Sequence, residues 1–235
     1  MNVLEHLYPA DDGFPLTIRD SGQGHPVLIL HGGSGPEGVD PLIDHLSGDH
    51  RVLAPIHPGW EDVPRPNWFS GIGDLADAYL DVLAEFAPQG AAVIGNSFGG
   101  WIASEMAIRD QAHTIDRLIL IDAIGPEIPG HPIQVPRRPG QGEEPPSVAA
   151  LRTYIDPTKG DESLLPRLSA VEIPTLVLWG EHDPVVGTEF GRIYASAFPH
   201  SQFTVLPGAG HVPTREKPAE TFAAIDTFLT TGRAR

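Results

Sequence analysis

The chain alternates short, continuous apolar runs with stretches whose apolar residues recur at helical spacing. That alternation limits it to one architecture. The runs lie at 26–30, 51–55, 91–94, 116–122, 173–180 and 202–206, and Val, Ile and Leu dominate them. A strand without a polar face is buried on both sides, the condition of a parallel sheet covered by helices above and below. Between the runs, Leu75, Tyr79, Val82, Leu83 and Phe86 form a helical stripe over 74–86, with Asp74 as its expected cap. Phe190, Ile193, Tyr194 and Ala197 form another over 188–198. A third, Phe222, Ile225, Phe228 and Leu229, covers 218–230, with Pro218 in its first turn. Strand then helix, repeated, predicts an α/β fold with a mostly parallel, doubly wound sheet flanked by helices.

Two stretches interrupt the pattern. Residues 8–20 read as a hairpin, with Asp11-Asp12-Gly13 at its turn and an extended segment at 16–19. Between Gly125 and Ser147, seven prolines and four glycines leave no room for a long helix. The strand pattern resumes at 173, so this stretch is expected to be an insertion within one domain spanning 1–235. It would form a small proline-rich cap over about 125–165, with a short helix around 148–154. A helix is also expected over 37–46, its positive end facing the loop His31-Gly32-Gly33-Ser34-Gly35-Pro36.

At 235 residues such a domain buries a substantial core. Its 15 basic and 31 acidic residues give a net charge of −16, which argues against nucleic acid or an anionic membrane surface as partner. The absence of cysteine removes thiolate catalysis, disulfides and Cys-ligated metals. Residues 1–6 lack the basic start and apolar run of a signal peptide, and no apolar stretch reaches membrane-spanning length, so a cytoplasmic location is expected. The partner expected is a small-molecule substrate, and nothing in the sequence specifies an oligomeric state.

The chemistry gathers where the strands end. Run 91–94 passes into Gly95-Asn96-Ser97-Phe98-Gly99-Gly100 and then a helical stretch at 101–109, the context in which G-x-S-x-G forms a nucleophile elbow. Run 173–180 ends at Glu181-His182-Asp183-Pro184, and run 202–206 at Pro207-Gly208-Ala209-Gly210-His211. Loops at the C-terminal edge of a parallel sheet converge in space, which makes Ser97, Asp183 and His211 a candidate catalytic set. A serine hydroxyl needs an imidazole to take its proton, and the imidazole needs a carboxylate on its other nitrogen. Asp122 also ends a strand and is the rival for the acid. The backbone N–H groups of Gly33 and Phe98 are candidates for an oxyanion hole, with His31 bracing the first of them. The loop 56–73 holds His57, Trp60, Trp68 and Phe69, which either line a pocket or pack the loop down. Ser34, Trp60, Trp68, Ile124 and Val212 are the candidate substrate contacts, with Phe98 at the pocket border. The spacing of His57, His131 and His182 fits no ligand motif, so no metal site is expected.

On four pieces, His31-Gly32-Gly33, the elbow hexad, Gly180-Glu181-His182-Asp183-Pro184 and Gly208-Ala209-Gly210-His211, the chain resembles the α/β-hydrolase superfamily over about 26–229. The order Ser, Asp, His is the one that superfamily shows. The resemblance implies Ser97 as nucleophile, His211 as base, Asp183 as orienting acid, and no cofactor. Haloalkane dehalogenases and epoxide hydrolases of this fold are similar but place aspartate at the nucleophile. What the resemblance leaves is acyl transfer to water, expected as hydrolysis of a carboxylic ester or lactone of a small to medium substrate through an acyl-enzyme. One alternative is a C–C hydrolase acting on vinylogous diketones, which shows similar elbows and His-Gly-Gly loops. This chain departs from it at Val212, where a tryptophan usually follows the histidine, and no carboxylate clamp is assignable among Arg137, Arg138 and Arg152. The other alternative is a binding protein of the same fold that performs no catalysis.

Overall fold

The computed structural model describes residues 2–8, 14–69, 71–134 and 145–231. One eight-stranded sheet runs through the molecule. In chain order the strands are β1 (Asn2–Tyr8), β2 (Phe14–Ser21), β3 (His25–Leu30), β4 (His50–Pro55), β5 (Ala91–Asn96), β6 (Ile115–Ile121), β7 (Thr175–Gly180) and β8 (Ser201–Leu206). Their order across the sheet is β1-β2-β4-β3-β5-β6-β7-β8. Antiparallel pairing is confined to β1 with β2 and β2 with β4, and every later pair is parallel. The sheet is therefore mostly parallel, with an antiparallel end.

The helices are α1 (Asp40–Leu46), α2 (Ile72–Phe86), α3 (Phe98–Arg109), α4 (Pro146–Arg152), α5 (Leu164–Leu168), α6 (Thr188–Ser196), α7 (Pro213–Glu216) and α8 (Pro218–Thr230). The continuous apolar runs divide between two cores. Leu28, Leu30, Val93, Leu118, Leu120 and Val177 face the side covered by α2, α3 and α6. Val27, Ile29, Ile94, Ile119, Ile121 and Leu178 face the side covered by α1 and α8. Alternate side chains of a strand point to opposite faces, so a sheet with two covers needs apolar residues at every position. Burying each Leu or Ile contributes about 2 kcal/mol against the chain entropy of folding.

Local chemistry moves several boundaries. The hairpin is longer than 8–20, since β1 pairs with β2 from Asn2 opposite Asp20 to Tyr8 opposite Phe14; its turn at 11–13 lies outside the described residues. Asp74 does not cap α2. Gly71 holds that place, and Asp74, three residues on, accepts the Gly71 N–H at 2.9 Å. The helix over 37–46 is split into a 3-10 turn, Pro36–Val39, and α1. Pro41 lacks an N–H and fits a first helical turn better than an interior, so the α-helix starts afresh at Asp40. For the same reason α4 opens at Pro146, two residues before the expected start.

The excursion between β6 and β7 is closed on itself at one place and anchored to the body at two. Pro126 bridges Asp161. The Gln134 N–H donates to the Val185 carbonyl at 2.8 Å. Arg167 donates to both oxygens of the buried Glu105 carboxylate on α3, at 2.9 and 2.8 Å, and to Asp161 at 2.7 Å. Arg137 and Arg138 fall outside the described residues. Among the described residues no helix is long and apolar enough to cross a membrane.

Candidate active site

Strand β5 lies mid-sheet between β3 and β6 and delivers Ser97 at its C-terminal end. Ser97 is held at φ 53°, ψ −115°, a conformation costing about 1–3 kcal/mol for a non-glycine residue. Its N–H donates to Ile121 O at 2.9 Å, and its carbonyl accepts the Ile124 N–H at 3.2 Å. The elbow glycines serve close approach. A side chain at Gly95 would strike the Gly99 carbonyl, and one at Gly99 would strike the Leu30 carbonyl. The strain thus sits on the serine, while the glycines let α3 start directly against β3 and β5.

Three loops meet at this point. His211 Nε2 lies 2.9 Å from Ser97 Oγ, and its Nδ1 lies 2.7 Å from Asp183 Oδ2. The Asp183 carboxylate is buried, and its Oδ1 accepts the N–H groups of Val185 at 2.7 Å and Val186 at 3.2 Å. With the acid bonded at Nδ1, the imidazole carries its proton there and presents a lone pair to the serine. The two loops hold each other, for the His182 N–H donates to Ala209 O at 2.8 Å and the Gly208 N–H donates to the Glu181 carboxylate at 2.8 Å. Asp122 is drawn into the same corner but does not reach His211. It is fully buried, and its Oδ1 accepts the Gly180 N–H at 2.7 Å. Burial first, then the neighbouring Asp183 charge, push its carboxyl well above the usual carboxylate range.

Facing Ser97 is the loop after β3. A Cβ on Gly32 would stand 3.1 Å from the Ser97 Cβ, so this loop passes directly over the serine. Phe98 is the first residue of α3, and its N–H has no acceptor within the helix. Below the loop, hydrogen bonding assigns the tautomers of two buried histidines. His31 Nε2 accepts the His57 N–H at 3.1 Å, leaving its Nδ1–H to donate to Gly32 O at 2.8 Å. His57 donates from Nε2 to His31 O at 3.0 Å and accepts the Tyr79 hydroxyl at Nδ1, 2.6 Å away. The rings lie 3.7 Å apart, centroid to centroid. Burial pushes the His57 pKa down to about 3, and burial with its neighbour His57 carries His31 well below the ordinary range. Both are neutral braces beneath Gly32 and Gly33. Tyr79 was legible as one position in an apolar stripe, and nothing in that stripe marked its hydroxyl.

A cavity of about 210 Å³ opens above Ser97 and His211. Ser34, Ile124 and Val212, three of the candidate substrate contacts, line it. Ile133, Gln134, Val148, Leu151, Pro157 and Val185 add to the wall. Of these, Val185 was within reach of the sequence, two residues past the acid, whereas the proline-rich excursion gave no signal for Ile133, Gln134 or Leu151. The aromatic residues do not line this cavity. Trp60 is buried, donates from Nε1 to Gly33 O at 3.3 Å, and borders a separate cavity with Glu37, Glu61 and Asp62. Trp68 is 53% exposed and packs edge-on against Phe14 and Phe69. Phe98 is buried against Trp60, His57 and Tyr154. Starting a helix turns its side chain under the loop and leaves its N–H without an intrahelical acceptor. Among the described residues, no cluster of three or more His, Asp or Glu side chains is arranged to hold a metal.

A central strand of a parallel sheet, ending in a strained serine within reach of a histidine, defines a class of hydrolase architecture. The chain belongs to the alpha/beta hydrolase family, whose model matches residues 27–225. It is similar to the 2-hydroxymuconate semialdehyde hydrolase of Pseudomonas putida, 26% identical over 265 residues covering 92% of this chain and 91% of that protein. It is also similar to the pimeloyl-[acyl-carrier protein] methyl ester esterase of Shewanella sp. (strain MR-7), 27% identical, covering 91% of this chain and 94% of that protein. Among solved structures, a thermophilic esterase from Thermogutta terrifontis shares the fold with a TM-score of 0.77 at 24% identity, covering 97% of this chain and 98% of that one.

Proposed function

We propose that this protein hydrolyses carboxylic esters or lactones with a small, uncharged acyl part, through an acyl-enzyme on Ser97. The observation that carries the proposal is the unbroken hydrogen-bond chain from Ser97 Oγ through His211 to Asp183. Ser97 Oγ attacks the carbonyl carbon as its proton passes to His211 Nε2, and Asp183 stabilises the imidazolium. The developing oxyanion is met by the N–H groups of Phe98 and Gly33, each worth about 3 kcal/mol when removed. His211 then protonates the departing alcohol oxygen. In the second half-reaction it deprotonates water, which attacks the acyl-serine carbon and releases the acid and the free serine. No metal or organic cofactor has a part in this scheme.

Two features narrow the substrate. The cavity volume of about 210 Å³ lies below the 300–1,000 Å³ or so of drug-sized ligand pockets. Its described wall carries no Lys, Arg, Asp or Glu. An anionic semialdehyde, the kind of substrate that the name of the Pseudomonas putida relative gives, would lie there without a charge partner. The C–C hydrolase reading rests on that relative, and the ester reading is favoured by the cavity wall.

A fluorophosphonate probe should label the wild-type protein and leave Ser97→Ala unlabelled. A panel of p-nitrophenyl esters of graded acyl length, together with simple lactones and a vinylogous diketone, then reads the class. Turnover that peaks at short acyl chains supports the proposal. Diketone cleavage in the absence of ester cleavage overturns it, and failure of the wild type to label removes the activated serine altogether.

A further inference from the structure

Asp122, at the end of β6, is left without a part in the hydrolytic scheme. Its φ is 44°, its N–H donates to Leu178 O at 3.0 Å, and its Oδ1 accepts the Gly180 N–H at 2.7 Å. Among the described residues no N–H or O–H reaches Oδ2, although that atom is buried. The side chain within hydrogen-bonding range of this carboxyl is that of Asp183. The charged groups acting on it are Asp183 and, more weakly, Glu216, with His211 one hydrogen bond beyond Asp183. Two carboxyls this close in a buried corner cannot both ionise. Asp183 has three partners favouring its charge, namely His211, Val185 N–H and Val186 N–H, whereas Asp122 has one. The proton belongs on Asp122.

We propose that Asp122 is a positioning residue that stays protonated at Oδ2 and donates a hydrogen bond to the Asp183 carboxylate, fixing its plane beneath His211. The inference rests on the Ser97, His211 and Asp183 assignment and deepens it. A protonated Asp122 gives the orphan oxygen a partner, leaves a single negative charge beside the imidazole, and links β6 to the acid loop. An ionised Asp122 would place a second charge there and repel the first. Burial and the Asp183 charge both favour the neutral form.

Asparagine tests this directly, because its amide can accept from Gly180 and donate to Asp183 as the protonated acid does, whereas alanine does neither. With a turned-over ester, Asp122→Asn should keep kcat within about threefold of wild type, and Asp122→Ala should lose about tenfold in kcat with KM unchanged. The acid limb of kcat/KM should coincide in wild type and Asp122→Asn within about 0.3 pH unit, whereas removing an ionised neighbour would move it down by about one unit. Infrared difference spectra should show a protonated carboxyl C=O band at about pH 8 in wild type that Asp122→Asn lacks. A missing band, a limb displaced by a unit, or an Asn variant as slow as the Ala variant overturns the proposal. The band is read on the resting protein, so it places the proton even if no ester is turned over; its absence alone leaves the ester reading standing. If Asp122→Ala fails to fold, the Asn comparison and the band decide.

Discussion

The paired histidines beneath the loop after β3 should make stability fall steeply on acidification. His57 is enclosed and neutral, with its pKa pushed from the ordinary 6.5 down to about 3. A histidine whose folded pKa is depressed contributes stability that is complete above the unfolded pKa and is lost as pH falls through it, because the unfolded chain takes up the proton first. At about 1.4 kcal/mol per pH unit, His57 alone removes about 3 kcal/mol between roughly pH 7.5 and pH 4.5. That is a large share of the roughly 5–15 kcal/mol that holds a domain folded. His31 acts in the same direction. The comparison to make is His57→Asn, which keeps a donor and an acceptor without titrating. Urea unfolding at several pH values should give a slope for wild type steeper by about 3 kcal/mol over this interval, whatever the offset between the two proteins at neutral pH. Histidine nitrogen NMR of the wild type at about pH 5 should show an unprotonated Nδ1 on His57. Parallel stability curves, or a doubly protonated ring at that pH, would refute the claim that the loop is braced by neutral imidazoles.

Further outcomes follow from the same contacts. Asp183→Asn should lower kcat on an ester by about ten-thousandfold, since Asp122 faces Gly180 and cannot take its place at His211. Leu151→Ala should shift the preferred acyl length upward by about two carbons and lower kcat on acetyl esters, because Leu151 both walls the cavity and supports Gly33. Arg167→Met leaves the buried Glu105 with Arg109 alone, so unfolding should show a loss of about 2 kcal/mol. Asp122→Asn should be more thermostable than wild type, by a margin that widens as pH rises from about 4. A carboxyl whose folded pKa is raised contributes its stability below the unfolded pKa and loses it as pH climbs towards the folded value.

The parallel sheet was legible because burial on two faces leaves its mark at every strand residue; Ile119 and Leu120 serve opposite cores and both must be apolar. Ser97, Asp183 and His211 were legible as strand-end residues, since a sheet of this handedness brings such loops together regardless of their separation in sequence. The cavity wall was not. Trp60 was expected at the pocket from its place in a strand-end loop and Phe98 from its N–H, yet Trp60 bonds the Gly33 carbonyl from below and Phe98 packs on Trp60. Which way a loop side chain turns is decided by the tertiary neighbours it meets, and those are absent from local pattern. Asp74 failed as a cap for a smaller reason: glycine and aspartate share the start of α2, and spacing alone does not say which of them stands outside the helix.

Leu151 fills the space where a side chain on Gly33 would stand, its Cδ2 lying 2.8 Å from that Cβ position, and the Gln134 N–H is fastened to Val185, two residues past the acid. The segment that forms part of the cavity wall is thus stapled to the two loops that hold Gly33 and Asp183. An excursion transplanted here from another chain would bring its own buttress along with its selectivity. Whether such a graft preserves turnover depends on a branched methyl landing over Gly33 and an amide landing on Val185, and very little on the length of the insert.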